Sequence, residues 1–160
     1  MIAMRIAIFI ALLLVALVYA SWKGGAPERV MVAIALTMVI CDQLLSAFGL
    51  DNYRSLDSEY LELDLAGVVA TIALALVAHR FWPMITAVLH FLPLLGHLSR
   101  ALDVTMNPIA YLTMQVASSW LLPPLLILAT WRHQRRLRRN GSDPSWHVSW
   151  RRSNRPMASA

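Results

Sequence analysis

Residues 62–100 read ELDLAGVVATIALALVAHRFWPMITAVLHFLPLLGHLSR, and His79-Arg80-Phe81-Trp82-Pro83 divides this stretch into two apolar runs. Each run is close to the roughly 20 residues that a helix needs to cross about 30 Å of hydrocarbon. An aromatic pair followed by proline suits a tight turn at a membrane interface. Similar apolar runs flank this hairpin, so the chain is expected to form five membrane spans at about 3–22, 29–50, 62–79, 82–100 and 108–131. The longest connection, 51–61, carries Asp51, Asp57 and Glu59 against a single cation, Arg54.

Composition agrees with this all-α integral membrane reading. The 160 residues are 58% hydrophobic and 14% charged, with a mean hydropathy of +0.57. Soluble domains average about half apolar and a quarter charged. The lone cysteine, Cys41, rules out an internal disulfide framework, a cysteine-rich zinc site and a cysteine-ligated iron–sulfur cluster.

The formal charge of +5 could point to nucleic acid, but eight of the fourteen cations lie in residues 132–155. Lys and Arg are retained on the cytoplasmic side of spanning helices, so Arg132, Arg135, Arg136, Arg138 and Arg139 place the C-terminus inside. Counting back, the inner segments hold Lys23, Arg29, Arg80 and the tail arginines, and the outer segments hold Arg5, Arg54 and Arg100. The chain thus divides into a five-span domain, 1–131, with its N-terminus outside, and a basic, partly disordered cytoplasmic tail, 132–160. A cleaved signal peptide ending near Val18-Tyr19-Ala20 is the competing reading of the first span. It would leave the arginine tail outside, against the charge rule, so an uncleaved span is expected. The setting implied is the inner (plasma) membrane of a bacterium.

Within the spans, small and polar residues recur at helical spacing. Ala3, Ala7 and Ala11 form a candidate packing face on the first span. Asp42, Ser46 and Gly49 align on the second. Asp64, Gly67, Thr71, Ala75 and Ala78 align on the third, and Thr86, His90, Pro93, His97 and Arg100 on the fourth. Asn107, Tyr111, Gln115 and Ser118 align on the fifth. Polar groups are costly in lipid and turn inward, so these stripes are expected to meet at a bundle axis.

At about 1.5 Å per residue, Asp64 and His97 lie roughly 4–5 Å below the outer boundary, and Gln115, Asp42 and His90 roughly 10–15 Å. Two layers result, each pairing a carboxylate with a histidine. Below them only Thr37, Thr86 and Thr130 precede the boundary groups His79 and Arg80, which disfavours a continuous static channel. Asp42, Asp64, His90, His97, Gln115 and Ser118 form the candidate ligand, ion or proton pocket.

His90 and His97 stand about 10 Å apart along one helix, too far to share an ion without unwinding at Pro93. No metal site is expected, no cofactor, and no catalytic residue set such as a phosphate loop or a His-Glu-x-x-His pattern. Pro93, Pro123 and Pro124 are candidate kinks or hinges, because each frees a carbonyl four residues earlier. The arginines from 132 to 139 are candidate anionic-lipid ligands, with Trp146 and Trp150 returning to the membrane surface as an interfacial segment. No nucleic-acid partner is expected.

Three functions remain open. The first is a non-enzymatic accessory or assembly subunit that packs with itself or within a larger membrane complex. The second is a small transporter or solute-binding protein using the Asp/His pocket. The third is a haem- or metal-binding oxidoreductase subunit.

Overall fold

The computed structural model describes residues 2–47, 58–102 and 108–146, with side chains at 4–47, 60–99, 102 and 119–146. It is all-helical, with α1 (Ile2–Lys23), α2 (Ala26–Ala47), α3 (Ser58–Val77), α4 (Trp82–Ala101) and α5 (Pro108–Asn140). No strand occurs among the described residues, where one isolated bridge joins Ala78 and Trp146. The first four helices are long and apolar enough to cross a membrane, which makes the chain compatible with a multi-pass membrane protein.

Local chemistry explains where the boundaries depart from the periodicity. Helix α2 begins at Ala26 and not at 29. Proline in a first turn loses no helical bond, and Glu28 beside it is favoured by the helix dipole. Helix α3 stops at Val77, two residues early, because the backbone of His79 turns to donate to the Ser145 carbonyl at 3.1 Å. Helix α5 runs through Pro123 and Pro124 for 33 residues, about 50 Å at the usual rise. Its last turns carry the arginines from Arg132 to Arg139. Gly141 ends it with φ +71°, its N–H donating to Leu137 O at 3.0 Å. Only a residue tolerant of the left-handed region closes a helix this way.

The helices form a closed ring in which each packs on the next in sequence and α5 returns to α1. The core is not spread evenly along it. Ala16, Leu17 and Ala20 of α1, Met31, Val32 and Ala35 of α2, and Leu74 of α3 are buried together. Ala78, Trp82 of α4, and Leu122, Leu126 and Ala129 of α5 complete the same cluster. All lie toward the end holding the α1–α2 and α3–α4 turns, here called the closed end. At the opposite, open end the first half of α1 and the second half of α2 are largely exposed.

This distribution corrects the expected packing face of α1. Ala7 and Ala11 are exposed, and Ala3 lies outside the described side chains. The small residues that let α1 approach its neighbours are Ala16 and Ala20, both fully buried.

Candidate functional site

Two polar clusters occupy the two ends. At the open end His97 Nε2 meets Asp64 Oδ2 at 3.0 Å across α3 and α4. His97 is buried, and the Asp64 side chain keeps 23% of its exposure. His90, about two turns deeper on α4, donates from Nδ1 to the Thr86 carbonyl at 2.8 Å. The second expected layer is therefore altered, since one His90 nitrogen is spent on its own helix. Asp42 is exposed on α2, and Asp42, His90 and His97 all lie within electrostatic reach of Asp64.

Gly67 allows this convergence. A Cβ there would fall 2.5 Å from Met38 Cε of α2 and 3.3 Å from His90 Cδ2 of α4. Thr71 is fully buried and donates to the carbonyls of Gly67 and Val68 at 2.8 and 3.0 Å. Gln115 and Ser118 belong to α5, but their side chains, like that of Tyr111, lie outside the described residues, as does Gly49. Pro93 and Pro123 are buried inside their helices and Pro124 is exposed. Among the described residues no three His, Cys, Asp or Glu side chains are grouped to hold a metal ion. Cys41 is half-buried.

The closed end holds a cluster that the hydropathy pattern did not disclose. Glu28 is fully buried in the first turn of α2, where its Oε1 accepts from Trp82 Nε1 at 3.2 Å and faces Arg80 Nη1 at 3.4 Å. Arg80 in turn places Nη2 2.8 Å from Asp143 Oδ2. His133 Nδ1 donates to the same oxygen at 2.6 Å. Arg80 Nη2 also lies 3.1 Å from that nitrogen, a proximity imposed by the shared carboxylate, because Nδ1 cannot donate to Asp143 and accept from Arg80 together. Arg136 Nε stands 3.1 Å from Asp143 Oδ1.

Two carboxylates and two guanidiniums thus balance in one knot, drawn from the start of α2, the α3–α4 turn, α5 and the segment after it. The balance matters because a buried charge left alone is strongly destabilising. Glu28 Oε2 and Arg80 Nε have no hydrogen-bond partner among the described residues, and the Arg80 Nη1 contact with Glu28 is a charge contact without hydrogen-bond geometry. Gly25 makes room for the knot, since a Cβ there would sit 3.0 Å from Glu28 Oε2 and 3.0 Å from His133 Cε1. Burial raises the Asp143 carboxyl, but the His133 hydrogen bond and the charges of Arg80 and Arg136 outweigh it and hold the pKa below the ordinary aspartate value.

The first fifteen residues of the basic tail accordingly pack as part of the fold. Residues 132–140 extend α5, and Asn140-Gly141-Ser142-Asp143-Pro144 carries the chain back against the α3–α4 turn. Trp146 is not a free interfacial side chain: it is half-buried against the hydrophobic core, while Trp150 lies outside the described residues. Arg132, Arg135, Arg138 and Arg139 are exposed, whereas Arg136 is half-buried on Asp143. The missed signal was the continuation of the α5 buried face, Leu122, Leu126, Ala129, Thr130 and His133, past the end of the apolar run.

Comparison of the chain with protein-family models, curated proteins and solved structures yields no match. The class that fold and composition define is therefore a helical protein with several apolar, membrane-compatible helices.

Proposed function

We propose that this chain is a small multi-pass integral membrane protein that acts as a non-enzymatic accessory or assembly subunit, packing with itself or with a larger partner. The observation that carries the reading is how the buried hydroxyls are used. Thr71, Thr86 and Thr130 donate to carbonyls three or four residues earlier in their own chain, as do Ser21 and Ser99. Hydroxyls satisfied in this way within their own helices let the helix faces pack closely and leave little polar lining for a transported solute. The four apolar helices have only 17% to 33% of their apolar windows buried, so their outward faces call for lipid or for partner helices.

In this reading α5 is the fifth span, and the closed end faces the cytoplasm because Lys23, Arg29, Arg80 and the α5 arginines gather there. The setting is the inner membrane of a bacterium. Retention in the membrane after an alkaline carbonate wash, with a C-terminal fluorescent reporter active in the cytoplasm, is the expected result; release by the wash would refute it.

A transporter or solute-binding role is the second reading, favoured by the half-exposed Asp64 with Asp42, His90 and His97 around it. Asp64→Asn and His97→Gln separate the two. The accessory role predicts loss of stability or assembly, and the transport role predicts folded protein without solute flux in reconstituted vesicles.

A further inference from the structure

We infer that the closed end carries a headgroup-binding face for anionic phospholipid, and that the buried knot gives this face its single sign of charge. The inference deepens the proposed membrane reading and rests on it. Lys23, Arg29, Arg132, Arg135, Arg138 and Arg139 are all exposed at this end. The two acids of the same end among the described residues, Glu28 and Asp143, are turned inward onto Arg80 and Arg136. Internal pairing therefore removes both negative charges from the surface and uses up only those two cations. The remaining cations project from α1, α2 and α5, and among the described residues no carboxylate stands between them to compete for their attraction.

Aromatic side chains mark the level at which the face meets lipid. Trp22, Phe81 and Trp131 are 74%, 73% and 49% exposed, on α1, the α3–α4 turn and α5. Exposed aromatics at one end of a bundle are the usual anchors at the headgroup level. Two of them are joined to the cationic face: Lys23 Nζ lies 5.0 Å from the Trp22 ring centre and Arg135 5.4 Å from that of Trp131. On α5, Arg132, Arg135 and Arg139 follow a three-four spacing on the side away from His133. Gln134, on a different side of the same helix, donates to the Lys23 carbonyl, which ties this part of α5 to the end of α1.

The occupant argued here is the phosphate-bearing headgroup of an anionic lipid, because the cations border apolar helices and an aromatic level, not a closed pocket. Arg136 is excluded from the face. Although it lies in the same arginine run, it is half-buried with its Nε 3.1 Å from Asp143 Oδ1, so this residue separates a shaped face from a merely basic tail.

The test uses the full chain reconstituted into vesicles of equal parts phosphatidylglycerol and phosphatidylcholine, then extracted in mild detergent, with the co-purifying lipid quantified. Wild type is expected to enrich phosphatidylglycerol, with the enrichment falling as salt is raised. Each surface cation contributes about fivefold in affinity, so Arg132→Gln/Arg135→Gln/Arg139→Gln is expected to cut the enrichment on the order of tenfold or more. Arg136→Gln is expected to lower thermal stability and keep the lipid preference. Undiminished enrichment in the triple variant, an equal loss in Arg136→Gln, or salt-independent enrichment in wild type overturns the proposal. Failure of the chain to remain with the vesicles at all is a different result, which refutes the membrane reading itself.

Discussion

The two ends of the molecule solve the problem of polar residues in an apolar bundle in opposite ways. At the closed end, Glu28, Arg80, His133 and Asp143 are withdrawn from solvent beneath a shared hydrophobic core, and Arg136 completes their charge balance. At the open end, Asp64 and His97 form one interhelical pair with part of the carboxylate still accessible, and the adjoining halves of α1 and α2 have little packed on them. The lesson is that shape and function need not share a location. The end with the more elaborate chemistry holds the ring shut, and the looser end keeps titratable groups within reach of whatever the chain meets.

The comparison is broken most forcefully at Arg80. Arg80→Met strands the buried Glu28 carboxylate, while Asp143 keeps His133 and Arg136, and is expected to cost about 3–5 kcal/mol of unfolding free energy. Reversible denaturation in mixed micelles measures this, and a loss below about 1 kcal/mol would mean that the knot is not buried as described. Gly25→Ala comes next. Its new methyl group presses on Glu28 and His133, and overpacking of this kind costs about 1–3 kcal/mol; the same assay reads it. Asp64→Asn at the open end is expected to cost less, about 1 kcal/mol, the usual worth of an interhelical hydrogen bond in lipid.

The smallest effect near neutral pH concerns acidity. Asp143 has a depressed pKa in the folded state. Its contribution to stability is therefore fully present above the unfolded-state value and is lost as pH falls through the folded one. Stability arising from Asp143 should be flat between about pH 5 and 8 and decline only in stronger acid. Asp143→Asn should flatten that acid limb. An acid limb unchanged in the variant would show that Asp143 is not the group responsible.

Much of the open end was legible in the sequence because its residues obey a single rule: polar side chains at helical spacing inside apolar runs turn toward neighbouring helices. Asp64, Thr71 and His97 follow it, as does Thr86 nearer the closed end. Asp42 does so less, because α2 is packed mainly through its first half. The closed end was obscure for a physical reason. Its partners come from connections and helix ends, where periodicity carries no information, and they are joined by contacts between residues such as Glu28 and Arg80 that are far apart in the chain. His79-Arg80-Phe81-Trp82-Pro83 read correctly as a turn, but nothing local announced that Arg80 points inward. Gly141-Ser142-Asp143-Pro144 has the glycine and proline of a helix break, but gives no hint that the returning chain delivers Asp143 to Arg80. The arginine run read as one cationic surface, yet Arg136 had already been claimed by that carboxylate.

The most direct measurement of the central claim is a pair of double-mutant cycles in the same micelle, one for Glu28 with Arg80 and one for Asp64 with His97. The account predicts the larger coupling energy for Glu28 and Arg80, since that pair is fully enclosed and the other retains solvent contact. Equal coupling, or a larger value for Asp64 and His97, would contradict the assignment of the structural clamp to the closed end.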